Sequence, residues 1–154
     1  MKIAVSACLL GENCKYNGEN NYSEIVNQFV KGHELILVCP EVLGGLPTPR
    51  ESAEIVNGIV SHKGGTSVDA KFRRGAEMAL NIVKDNQVDM VVLQSRSPSC
   101  GVNQIYDGSF TGKLIPGQGL FAALLQKNGI KVIDVEDLDD PPGRGHYRRW
   151  QIAI

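Results

Sequence analysis

Cys8, Cys14, Cys39 and Cys100 are the cysteines of this 154-residue chain. None forms the Cys-x-x-Cys pair used by zinc ribbons and thioredoxin-like redox sites. Nor does their spacing match a small secreted scaffold stapled by disulfides. Scattered cysteines are commonly small buried hydrophobes, so their placement along the chain decides what they do. Cys8 follows the apolar run from Lys2 to Ala7, Cys39 closes the run Glu34 to Val38, and Cys100 comes a few residues after Val88 to Leu93. Each run reads as a buried strand, and three thiols at three strand ends can converge on one point. Three thiolates suit a soft centre, either zinc with a further ligand or an iron–sulfur cluster. A cubane held by three cysteines leaves one iron open to substrate, as a Lewis acid rather than an electron carrier. Cys14 lies in the polar run Glu12 to Gly18 and reads as a loop thiol outside that set.

The polar residues beside these thiols are those that acid–base chemistry needs. Glu41 is two residues beyond Cys39, where a proline-locked turn would hold it near the centre. Ser97 and Ser99 place two hydroxyls next to Cys100. Water activated by Glu41 can add to an electrophilic carbon, while either serine orients the substrate or passes a proton. Arg50, with the glycine pair Gly44 and Gly45 in the same loop, is the expected substrate-binding segment, holding a ring carbonyl or a phosphate. Each has a plainer alternative: Glu41 bonded to backbone N–H groups, the serines closing their own turns, Arg50 in an ion pair.

The elements that must position these residues alternate between strand and helix. Ser23 is a plausible N-cap for a helix from Glu24 to Lys31, stopped by Gly32. Ala53 to Val56 and Ile59 to Ser61 predict a hairpin about Asn57-Gly58. Asp69 to Asn86 predicts the best helix, with Phe72, Ala76, Ala79, Leu80 and Val83 on one face. A long polar loop from Gln94 to Gly119 carries a possible hairpin at Asp107-Gly108. Leu120 to Asn128 then predicts a helix, and Lys131 to Val135 a last strand. The alternation implies an α/β fold: a Rossmann- or flavodoxin-like parallel sheet flanked by helices, in a single domain of residues 1–138. In such sheets ligands bind outside the carboxyl ends of the strands, where the three cysteines fall. Residues 139–154 read as a linker and a basic, aromatic C-terminal extension.

Taken together, Ser6-Ala7-Cys8-Leu9-Leu10-Gly11, Cys39-Pro40-Glu41-Val42 with Gly44-Gly45-Leu46-Pro47-Thr48-Pro49-Arg50, and Ser97-Pro98-Ser99-Cys100-Gly101 resemble the bacterial thiouracil desulfurase family, formerly catalogued as a domain of unknown function. The segment beyond Leu138 matches nothing in it. The resemblance implies a [4Fe-4S] cluster on three cysteines that removes sulfur from a thiolated uracil without net redox chemistry. Carried over by motif, the ligands are Cys8, Cys39 and Cys100, the carboxylate is Glu41, and the serines are Ser97 and Ser99. The implied partner is a small thiolated base or nucleoside, with sulfide taken by the open iron.

Composition excludes several other classes. Lys and Arg number 16 against 17 Asp and Glu, for a net charge of −1, so there is no strong nucleic-acid signal. The N-terminal apolar run is too short for a membrane span and unlike a signal peptide, and the protein is expected in the cytoplasm. A thiol hydrolase with Cys100 as nucleophile needs a base, and His62 is the sole candidate among three histidines. A non-catalytic metal or iron–sulfur sensor, or a sulfur carrier, is the remaining alternative.

Overall fold

The computed structural model describes residues 1–138; the proposed C-terminal extension, 139–154, lies outside the described residues. The element order is β1 (Lys2–Ser6), a 3-10 turn (Ala7–Leu10), α1 (Glu24–Phe29), β2 (Glu34–Val38), α2 (Pro40–Leu43), β3 (Ala53–Val56), β4 (Ile59–His62) and α3 (Asp69–Asp85). It continues with β5 (Met90–Leu93), β6 (Gln104–Tyr106), β7 (Leu114–Pro116), α4 (Leu120–Lys127), β8 (Val132–Asp134) and α5 (Val135–Leu138). The expected helices and strands are present to within a few residues. The sequence reading did not include the short α2, which begins at Pro40, where the missing N–H costs a helix nothing.

Four parallel strands form the central sheet in the order β2-β1-β5-β8. This is the flavodoxin-like order, and its switch point lies between β1 and β5. Alternate residues feed two cores, as the two-residue period of a strand requires. Ala4, Val91 and Leu93 pack with Ala76, Ala79, Leu80 and Val83 of α3 and with Phe121, Ala122 and Leu125 of α4. Ile3, Val5, Met90, Val92 and Ile133 pack on the other face against Val26 and Phe29 of α1 and Leu138 of α5. Burial of β5 on both faces explains its unbroken apolar sequence. Among the described residues no helix is long and apolar enough to cross a membrane.

Two antiparallel hairpins, β3-β4 and β6-β7, stand apart from this sheet. The first turns at Asn57 and Gly58, both at positive φ, as a two-residue hairpin turn requires. Ser23 caps α1 as expected, its Oγ accepting the Val26 N–H at 3.2 Å, a contact worth about 1 kcal/mol.

Candidate active site

Each thiol is delivered by a different piece of chain at the carboxyl edge of the sheet. Cys8 sits in the 3-10 turn after β1, which ends at Gly11 in the left-handed conformation. Cys39 is the residue before α2. Cys100 lies in a tight loop where its N–H donates to Ser97 Oγ at 2.7 Å. The start of α4 pins that loop: the Leu120 N–H donates to Pro98 O, and the Phe121 and Ala122 N–H groups donate to Ser99 O. The otherwise orphaned donors of a helix terminus are thereby satisfied. Gly119 permits the approach, since a Cβ there would come 2.5 Å from the Ser99 carbonyl carbon.

All four thiols line one cavity of about 600 Å³. The fourth is Cys14, which the sequence reading set aside as a loop thiol. Residues 12–23 fold back over the sheet edge, with the Asn21 N–H donating to Cys8 O, and this brings Cys14 between Cys8 and Cys39. Cys14 neighbours both Cys8 and Cys39. Its presence holds the Cys8 thiol below its ordinary range against the effect of burial, and Asn21 Nδ2 adds a contact to the Cys8 Sγ at 3.4 Å. The neighbouring Cys39 favours ionisation of Cys14, but Cys8 and burial outweigh it and push Cys14 up to about 11. Cys39 is raised by the neighbouring Cys14 and by burial. Burial pushes Cys100 up to about 12, against the opposing effect of the Ser6 and Ser99 hydroxyls beside it.

Beside the thiols runs a chain of hydrogen bonds. Ser99 Oγ donates to Glu41 Oε2 at 2.7 Å, and Ser97 Oγ lies 3.2 Å from Ser99 Oγ. Because Ser99 gives its one hydroxyl proton to Glu41, Ser97 is the donor in the second bond. The order is therefore Ser97, Ser99, Glu41, and all three residues line the cavity. Glu41 Oε1 is held by Arg50 Nε at 3.1 Å and Nη2 at 3.0 Å.

The segment expected to bind substrate is divided by this geometry. Arg50 lines the cavity with a side chain 5% exposed. Besides Glu41 it donates to Cys14 O, Pro47 O and Thr48 Oγ1. Arg50 therefore ties these stretches of chain together at the cavity wall. Gly44 and Gly45 do not line the cavity. A Cβ on Gly44 would lie 2.0 Å from Lys71 O, and one on Gly75 would lie 1.8 Å from Pro40 O. The two glycines Gly44 and Gly75 let α2 and α3 touch backbone to backbone, and Gly45 turns the chain at φ +92. His62 lies outside the cavity that holds Cys100, which removes the base a thiol hydrolase would need.

Among the described residues, no group of three His, Cys, Asp or Glu side chains closes around a single point as one metal ion requires. The thiols instead share a cavity wider than one ion, lined by sulfur and closed by a carboxylate–hydroxyl chain. A sequence model of the 2-thiouracil desulfurase family matches residues 3–137. The chain belongs to the 2-thiouracil desulfurase family. It is 39% identical to the uncharacterised protein YbbK of Bacillus subtilis (strain 168), over 90% of this chain and 98% of YbbK. Among solved structures it is similar to the [4Fe-4S]-dependent thiouracil desulfidase TudS (DUF523Vcz). The TM-score is 0.83 at 40% identity, covering 90% of this chain and 93% of that one. In this desulfurase the motifs around Cys8, Cys39 and Cys100 meet at one cavity.

Sequence reasoning missed Cys14, Asn21, Glu54 and Phe110, all of which line this cavity. Cys14 and Asn21 reach it through a loop without periodic signal. Glu54 alternates with apolar neighbours in β3 and reads as the wet face of a hairpin.

Proposed function

We propose that this protein hydrolyses the thiocarbonyl of a thiolated pyrimidine: C=S is broken, C=O is formed from water, and sulfur leaves as hydrosulfide. The observation that carries the reading is the convergence of free thiols with the Ser97–Ser99–Glu41 chain in one cavity. A [4Fe-4S] cluster of the kind named for TudS fits the donor set. Buried thiols whose ionisation is opposed by burial, and for several by each other, need a cationic centre to become thiolates together. We assign Cys8, Cys39 and Cys100 to hold it, with Cys14 beside them outside the ligand set. When bound through three thiolates, such a cluster supplies an open iron as a Lewis acid toward the thiocarbonyl sulfur.

The chain's own residues do the rest. Glu41 accepts a proton from the attacking water, and Arg50 fixes its carboxylate by holding Oε1 so that Oε2 faces Ser99. Ser99 and Ser97 relay protons between Glu41 and the part of the cavity nearest Cys100. Free thiols suit a reducing compartment, in keeping with a cytoplasmic enzyme acting on a free base or nucleoside. A sensor or sulfur carrier has no use for this buried relay. The test is anaerobic incubation of the iron-loaded protein with 2-thiouracil. Equimolar hydrosulfide and uracil are expected, without an added electron donor. Dependence on a reductant, or no release from any thiolated base or nucleoside, overturns the reading.

A further inference from the structure

Part of the cavity lining comes from the two hairpins that carry no thiol. Three of the four phenylalanines, Phe29, Phe72 and Phe121, are 4%, 2% and 0% exposed and belong to the core. Phe110 does not: it is half-buried in the β6-β7 loop and lines the cavity. Its φ is +58, a left-handed conformation that a bulky side chain rarely adopts. Glu54 holds it there. The Glu54 carboxylate, 9% exposed on β3, accepts the Phe110 N–H at 3.1 Å and the Gly108 N–H at 3.0 Å on one oxygen, Oε1. Gly108 lies so close to β3 that a Cβ there would come 2.7 Å from Ile55 O. Asp107 Oδ1 accepts the Ser109 N–H and closes the turn. A loop that only had to reverse direction would carry glycine or asparagine at such a position; a phenylalanine fixed there by a buried carboxylate has a use for its ring.

We propose that the Phe110 ring is the surface on which the substrate's heterocycle stacks, and that Glu54 is the positioning residue that sets it. The ligand class is a planar thiocarbonyl-bearing base, recognised through its π-face. Stacking covers one face of the ring, directs the in-plane thiocarbonyl along the cavity, and leaves the opposite face to the attacking water. This inference rests on the desulfurase reading above.

The experiment uses iron-loaded protein under anaerobic conditions. It pairs calorimetric binding of uracil, the non-reacting product base, with steady-state hydrosulfide release from 2-thiouracil. Phe110→Ala is expected to weaken uracil binding and raise KM roughly tenfold, the scale of one lost base–aromatic stack. Its kcat, iron content and melting temperature should change far less, and Phe110→Tyr should restore both binding and KM. Glu54→Ala should reproduce the loss, while Glu54→Gln, which keeps an acceptor oxygen, should not. The double variant Phe110→Ala/Glu54→Ala should be no worse than Phe110→Ala alone, since the two act as a unit. Wild-type uracil affinity in Phe110→Ala, or additive losses in the double variant, overturns the proposal while the desulfurase reading stands. A wild type that neither binds uracil nor desulfurises any thiolated base overturns both.

Discussion

At the scale of single residues, the site depends on how each side chain spends its hydrogen bonds. Glu41 divides its two oxygens, Oε1 to Arg50 and Oε2 to Ser99. Gln can keep an acceptor for Arg50 but cannot take a proton. Glu41→Gln is therefore expected to keep its iron while turnover falls by about 10²-fold or more, the scale of general acid–base catalysis. Iron content and hydrosulfide release on one sample check this; normal turnover per cluster would leave the serines as the proton carriers. The thiols give a second prediction. Cys14 lies beside Cys8 and Cys39, a place a serine of similar size can fill. Cys14→Ser should retain most of the iron, whereas Cys8→Ser, Cys39→Ser and Cys100→Ser should each lose it. Equal loss from all four, read by iron analysis and visible absorbance, would mean four-thiolate ligation.

At the scale of elements, the position of Glu41 is a matter of helix contact. The start of α2 rests on α3 where Gly75 meets Pro40 and Gly44 meets Lys71. A Cβ at Gly75 would sit 1.8 Å from Pro40 O, and backbone cannot give as a flexible side chain can. Overpacking of this kind costs about 1–3 kcal/mol or more. Gly75→Ala should lower the free energy of unfolding, measured by denaturant titration, by that amount and reduce turnover per cluster, because Cys39 and Glu41 move with α2. Ala70→Gly, at an exposed position of α3, lowers stability by helix propensity alone, about 1 kcal/mol at most, with turnover per cluster unchanged. A Gly75→Ala enzyme as stable and active as wild type would refute this role.

At the scale of the whole molecule, the cavity joins four separate stretches of chain: the turn after β1, the refolded loop at Cys14, the start of α2 and the loop before α4. A group that binds the folded state alone stabilises it by mass action, and one held by thiols from distant segments cross-links them. Removing iron with a chelator should lower the melting temperature, and anaerobic reconstitution should restore it. The same treatment of Cys8→Ser should shift the melting temperature little. An unchanged melting temperature on iron removal from the wild type would argue against a centre shared by these segments.

What the sequence determined by itself is local or periodic. The β1, β2 and β5 runs, the α3 face from Phe72 to Val83, the Ser23 cap and the Asn57-Gly58 turn each follow from steric and hydrophobic rules that act over a few residues. Parallel strands order their carboxyl ends on one edge, so Cys8, Cys39 and Cys100 could be placed together before any coordinates. The tertiary structure decided the rest, because it depends on contacts between segments far apart in sequence. Cys14 reaches the thiols only because the chain from Glu12 to Ser23 folds back through backbone bonds to Cys8 and Leu9. Arg50 becomes a brace at the cavity wall because acceptors from residues 14, 41, 47 and 48 gather around its guanidinium. Gly44 serves packing because α3 crosses at Gly75, and Glu54 belongs to the site because the β6-β7 loop lies against β3. Hydrogen-bond partners of this kind follow from three-dimensional proximity, which no spacing along the chain encodes.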